Sequence, residues 1–167
     1  MRALQLWNNN VADLTPLAGL GELRTLKIGF NGLTDINALA PLADLDTLYL
    51  NANYVADISA LAGMNSLSEL VLTSNNIWNI SPLAGKTTIR SLFLDSNKIV
   101  FISPLYNLTG LEKLELSHNL IDDILGVAAN TGLDPGDMVY LMDNPLAAAS
   151  TDSLISVLEA RGVAVIR

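Results

Sequence analysis

His118 is the single histidine of the chain, and cysteine is absent. Those two facts remove the common nucleophile–base pairs, thiolate and multi-histidine zinc sites, and disulfides. Carboxylates and amides are what remain. Asp13, Asp35, Asp57 and Asp123 recur in register, but Asn79 and Phe101 interrupt the column. The column therefore reads as turn and cap residues and not as a calcium array. Gly29 and Gly32 flank an asparagine turn and not a strand-to-helix junction, so no phosphate-cradling loop is present. Asn79-Ile-Ser81 and Asn107-Leu-Thr109 match the glycosylation acceptor pattern, a short match of the kind that arises by chance. The amides are more telling. Asn9, Asn31, Asn53, Asn75, Asn97 and Asn119 stand 22 residues apart. A buried amide at such spacing suits the bonding of free backbone groups in repeated turns, not catalysis. No catalytic residue, cofactor or metal ligand is assigned, and the chain is not expected to be an enzyme.

The elements that hold these asparagines follow from one unit, Leu67-x-x-Leu70-x-Leu72-x-x-Asn75-x-Ile77-x-x-Ile80-x-x-Leu83. Copies open at Met1, Leu23, Leu45, Leu67, Ile89 and Leu111 without insertion. Fixed-period self-similarity of this length signifies stacked coils. The Leu-x-Leu step alternates apolar and polar residues, the period of a strand with one buried face. Leu26 and Ile28, Leu48 and Leu50, Leu92 and Leu94, and Leu114 and Leu116 are expected inward. Only 13 residues separate each asparagine from the next opening residue, too few for a turn plus a long helix. One 3₁₀ or single α turn per coil is expected, with Pro16, Pro82 and Pro104 near its start.

The period breaks after Leu111. Asp134-Pro135-Gly136 delays the next strand to Met138–Leu141, and Asn144-Pro145-Leu146 forms the turn of a seventh, degenerate repeat. Ser150 to Ser153 offer N-cap hydroxyls to a helix with an apolar face of Leu154, Ile155, Val157 and Leu158. Gly162 stops that helix, and Val163 to Ile166 form a last strand. The expected division is residues 1–132 as six repeats lacking an N-terminal cap, and 133–167 as the degenerate repeat with a capping helix and strand. Met1, Leu4 and Leu6 would be open at the first coil, since each repeat buries its apolar face only against neighbours. The chain is expected to be a piece of a longer protein or to have that end covered by another molecule.

Half of the residues are apolar, and the net charge is -8 with nine basic residues in no run. That balance excludes nucleic-acid binding through clustered Lys and Arg. No apolar run approaches the length of a membrane span, so membrane insertion is not expected, and no signal peptide opens the chain.

From residue 1 to about 146, the motif Leu-x-x-Leu-x-Leu-x-x-Asn-x-Ile-x-Asp-Ile-x-Pro-Leu resembles the bacterial internalin-type class of 22-residue leucine-rich repeats. The resemblance implies an α/β solenoid: a curved right-handed superhelix with a parallel sheet on the concave face and short 3₁₀ turns on the convex face. It implies protein recognition and a bacterial cell-surface or secreted location. The helical N-terminal cap and immunoglobulin-like domain of internalins proper are absent, so host-cell adhesion is not carried over.

Repeat phase turns Gln5, Lys27, Tyr49, Val71, Phe93, Glu115 and Tyr140 outward from the sheet. Tyr49, Val71 and Phe93 make an apolar stripe across three coils, between Lys27 and Glu115. Contiguous exposed apolar residues with aromatic anchors mark contact surfaces, although cross-strand packing alone is the competing reading. The expected partner-binding set is Tyr49, Val71, Phe93, Tyr140, Lys27, Glu115 and Trp7, with Phe30 and His118 extending it. Glu69 and Glu115 share the face two coils apart, roughly 10 Å at the backbone from the strand spacing, but an open sheet offers no cleft for carboxylate chemistry. Trp78 and Phe101 are expected to cover the outer ridge between coils, with a second contact surface as the alternative. The leading function is a non-enzymatic module docking a protein on its concave face. The alternative is self-assembly, a homodimer paired through the open edge at Met1 to Trp7.

Overall fold

Strand pairing builds the molecule one coil at a time. In the computed structural model eight strands form a single parallel sheet in chain order. They are β1 (Ala3–Gln5), β2 (Thr25–Lys27), β3 (Thr47–Tyr49), β4 (Glu69–Val71), β5 (Ser91–Phe93), β6 (Lys113–Glu115), β7 (Met138–Tyr140) and β8 (Ala164–Ile166). The structure describes residues 1–147 and 151–167; residues 148–150 are placed only as helix backbone. From β1 to β6 each residue pairs with the residue 22 positions on, as in Leu26 with Leu48 and Leu48 with Leu70. The later pairing of Leu114 with Val139 absorbs the insertion before β7.

Each coil returns through a short turn on the face opposite the sheet. Four are 3₁₀ turns of three residues (Thr15–Leu17, Asn37–Leu39, Ser59–Leu61, Ser81–Leu83), one spans Ser103–Asn107, and the sixth is a one-turn helix, α1 (Leu125–Ala128). The recurring carboxylates start these turns. Oδ1 of Asp13, Asp35, Asp57 and Asp123 accepts the backbone N–H two residues on at 2.7–2.8 Å. Asn79 does the same for Ser81 at 2.9 Å. The amide of Asn79 thus supplies the same acceptor oxygen as the carboxylates, whereas the turn after Phe101 forms without a side-chain cap.

Between sheet and turns lies one apolar column per repeat position. Leu26, Leu48, Leu70, Leu92 and Leu114 are wholly buried, as are Ile28, Leu50, Leu72, Leu94 and Leu116. At the first coil Leu4 and Leu6 are only partly buried and Met1 is 69 % exposed. At the other end α2 (Ala148–Ala160) lays Ile155 and Leu158 on the core, Gly162 turns the chain at φ 82°, and β8 pairs with β7. The hydroxyl-rich stretch expected to cap this helix lies within it. The helix begins at Ala148, so Thr151 to Ser153 occupy its first turns, and Ser150 lies outside the described residues.

The asparagines lock the turns together. Asn75 is buried: its Oδ1 accepts the Val55 N–H of the preceding coil at 3.0 Å, and its Nδ2 donates to the carbonyls of Leu50 and Leu72, each at 3.0 Å. Asn31, Asn53, Asn97 and Asn119 repeat the arrangement, and Asn144 repeats it after β7. Asn9, with no coil before it in this chain, is exposed and reaches only the Trp7 carbonyl at 2.8 Å. The residue before each asparagine is held left-handed, at φ 52–57°, whatever its type: Asn8, Phe30, Ala52, Ser74, Ser96, His118 and Asp143. None of the seven is glycine. The conformation costs an L-residue about 1–2 kcal/mol; at six of the seven it stands beside an interlocked amide, and Asn8 keeps it beside Asn9, which makes only its local bond to Trp7.

Candidate functional site

The strand register places the outward residues in one file. Lys27 stands beside Tyr49, Tyr49 beside Val71, Val71 beside Phe93, Phe93 beside Glu115 and Glu115 beside Tyr140. All six are half-buried, and Gln5 at the start of the file is exposed. The apolar stripe is therefore contiguous but less open than phase alone suggests, because long charged neighbours lie over the rings.

Two clusters make up the file. In the first, the Lys27 ammonium sits 3.9 Å from the Tyr49 ring centroid, and Trp7 meets Tyr49 edge-on at 5.7 Å. The Tyr49 hydroxyl donates to Glu69 Oε1 at 2.6 Å. Burial, aided by that bond and by the carboxylate charge, pushes the Tyr49 phenol up to about 12. Trp7 also approaches Phe30 at 6.3 Å, which joins Phe30 to this end of the face.

In the second cluster Lys113 is central. Its Nζ pairs with Glu115 at 2.7 Å and lies 4.8 Å from the Phe93 ring and 5.5 Å from that of Tyr140. The bond from Glu115 raises the Lys113 ammonium above its ordinary value. Cations held over aromatic faces are pre-positioned by the ring quadrupole and lose little freedom when a partner arrives. Val71 joins the two clusters. Glu69 and Glu115 are thus each engaged separately, one by a phenol and one by an ammonium, and do not act as a carboxylate pair.

His118 lies apart from the file. It is exposed and faces Asp143 at 3.2 Å. Among the described residues no group of His, Asp and Glu could hold a metal ion, and no helix is long and apolar enough to cross a membrane.

Comparison with known proteins places this architecture. The family profile for leucine rich repeats matches residues 65–121. An internalin (inlC2) from Listeria monocytogenes is 32 % identical with a TM-score of 0.90, over 100 % of this chain and 70 % of that one. A second internalin (inlF) from the same species is 31 % identical with a TM-score of 0.89, over 99 % of this chain and 47 % of that one. The chain belongs to the internalin-type leucine-rich repeat family. It therefore spans about half the length of one of these internalins and over two thirds of the other. A leucine-rich repeat protein of Leptospira interrogans (LIC12759) shares the fold at 20 % identity and a TM-score of 0.84, over 100 % of this chain and 49 % of that one. No curated protein matches the chain by sequence. Repeat solenoids of this kind offer extended concave surfaces and serve as protein-interaction modules.

Two features of this internalin-type solenoid lie outside what repeat phase suggests. Lys86 occupies the inward position held elsewhere by Leu20, Leu42, Met64 and Leu108, and is 3 % exposed. Its Nζ donates to the carbonyls of Ala62 and Met64, each at 3.0 Å, and burial lowers its pKa. Asn130 fills the same position one turn before β7 and likewise reaches the carbonyls of Leu105 and Leu108. The break in an otherwise apolar column is the signal that would have found both. The second feature corrects an expectation: Trp78 and Phe101 do not cover a ridge between coils but are 64 % and 76 % exposed.

Proposed function

We propose that this chain is a non-enzymatic protein-binding module that docks a partner on its concave sheet through Tyr49, Val71, Phe93 and Tyr140, framed by Trp7, Lys27 and Glu115. The observation that carries the reading is the paired cation-over-ring arrangement along one file. A sheet face that only needed solvation has no use for three aromatic rings held under ammonium groups. Aromatic anchors in a rigid setting are the usual source of binding energy, and a stack of interlocked coils loses little entropy on association. A bacterial surface or secreted location accords with the internalin relatives. The test is the affinity of a partner retained by the immobilised chain. Tyr49→Ala and Phe93→Ala should each weaken it by about 2 kcal/mol or more; unchanged affinity in both would remove the site.

Self-assembly is the second reading, supported by the open edge of β1 and the half-exposed Leu4 and Leu6 beside it. A free parallel edge is a template for pairing. Light scattering across a concentration range separates the two. A monomer throughout rejects self-assembly, whereas a dimer lost on Leu4→Glu or Leu6→Glu makes the edge the working interface.

A further inference from the structure

The convex side carries a second pattern that the sheet file does not use. Beside Tyr106 (49 %) and Leu120 (53 %), coils two to six expose one further large apolar side chain each: Phe30 (53 %), Tyr54 (64 %), Trp78 (64 %), Phe101 (76 %) and Leu125 (54 %). Their spacing is 23 or 24 residues and not 22. In a stack whose register advances by 22, each member is therefore displaced one or two residues further along its coil. The five form a diagonal ridge that runs from the turn after the strand onto the return face. Two shallow grooves lie on this diagonal. Phe30, Gly32 and Tyr54 line one, and Phe101, Tyr106 and Leu125 line the other.

The charge of the return segments is one-sided. The return segments 12–19, 34–41, 56–63, 78–85, 100–107 and 122–129 contain Asp13, Asp35, Asp57, Asp122 and Asp123, and no Lys, Arg or His. Asp122 and Asp123 sit in the wall of the larger groove. Lys98, exposed at the repeat position of Tyr54, interrupts this field, so it is acidic at the larger groove and not along the whole diagonal. Apolar anchors beside that acidic wall select against a second copy of this chain, which would bring the same carboxylates, and against anionic lipid or nucleic acid. They complement a cationic polypeptide.

We propose that the ridge Phe30–Tyr54–Trp78–Phe101–Leu125 is a second docking surface, taking a cationic segment of a partner protein whose own apolar side chains seat between the exposed rings. Phe101 and Leu125 supply the anchors at the larger groove, and Asp122 and Asp123 pair with the incoming ammonium or guanidinium groups. Contact at the larger groove leaves the sheet file free, so the module can hold two partners at once.

Trp7 and Trp78 are the only tryptophans; Trp78 lies on the ridge, and Trp7 lies on the sheet face against Phe30, where the ridge begins. Trp7→Phe leaves Trp78 as the sole reporter of the ridge. Titration of that variant with an amphipathic Lys/Leu peptide should give a saturable blue shift of Trp78 emission. Phe101→Ala should weaken the apparent affinity at least tenfold, as for an aromatic anchor. Asp122→Asn with Asp123→Asn should weaken it roughly fivefold, the effect of two exposed ion pairs; Asn79 shows that an amide keeps the turn intact. The proposal is overturned if Trp78 emission does not respond, if a Glu/Leu peptide produces the same shift, or if Phe101→Ala changes nothing.

Discussion

The Tyr49 hydroxyl donates a 2.6 Å hydrogen bond to Glu69 on the neighbouring strand, and the pair fixes the ring that anchors one end of the concave file. The phenol is raised from 10.0 to about 12, first by burial and then by Glu69. Glu69→Gln should return part of that shift, leaving the share due to burial. Because the folded phenol holds its proton more tightly than the unfolded one, the associated stability is complete below pH 10 and is lost as pH rises through about 12. Ultraviolet titration of the phenolate in wild type and variant checks both statements.

The asparagine ladder predicts a contrast between chemically identical substitutions. Asn75→Ala strips the partner from the buried Val55 N–H, while the Leu50 and Leu72 carbonyls keep the amides of Asn53 and Asn97. It should cost about 1–3 kcal/mol, the cost of one buried group left unpaired. Asn9→Ala removes a bond at an exposed site and should stay within about 0.5 kcal/mol. Urea unfolding of the two variants measures the difference.

Lys86 predicts a pH effect of the opposite sign to Tyr49. Burial lowers its pKa, so the folded chain gains stability as pH rises from that lowered value towards the unfolded 10.5. Lys86→Leu, the residue its column carries at Leu20, Leu42 and Leu108, should abolish that gain. At neutral pH the same change should alter stability by no more than about 1 kcal/mol, since apolar replacement of a buried charge is often neutral. Denaturant midpoints at a series of pH values test it.

The left-handed residues allow a gain. Ala52 holds φ 52° without a side chain that does other work. Ala52→Gly should relieve the strain and, after glycine's greater unfolded entropy is counted, stabilise the fold by roughly 0.5–1 kcal/mol. Thermal unfolding reports it.

How far the sequence disclosed these features depended on whether the cause was local. The amide column, the inward leucines and the Asp turns were legible because each depends on a residue type repeated at a fixed spacing. The left-handed positions were not: Phe30, Ala52 and His118 have nothing in common as residue types. Lys86 was hidden as well, since only the stacking of coils brings the carbonyls of Ala62 and Met64 to its ammonium. Repeat phase placed Tyr49 and Phe93 on the outward face but carried no information on Lys27 and Lys113 lying over their rings. Trp78 and Phe101 were noticed as departures from the repeat, yet the diagonal they share with Phe30, Tyr54 and Leu125 emerges only from the register together with exposure.

The concave file is tested most directly by a photo-crosslinker placed in it. Replacing Phe93 with p-benzoylphenylalanine puts the reactive ketone in the second aromatic cluster, next to Val71; the same replacement at Val157, 48 % exposed on α2, serves as control. On irradiation in the cells that produce the protein, position 93 should yield a discrete adduct with another protein, lost on Tyr49→Ala and absent from position 157. No adduct at 93, or the same adducts at both positions, would contradict docking on the sheet.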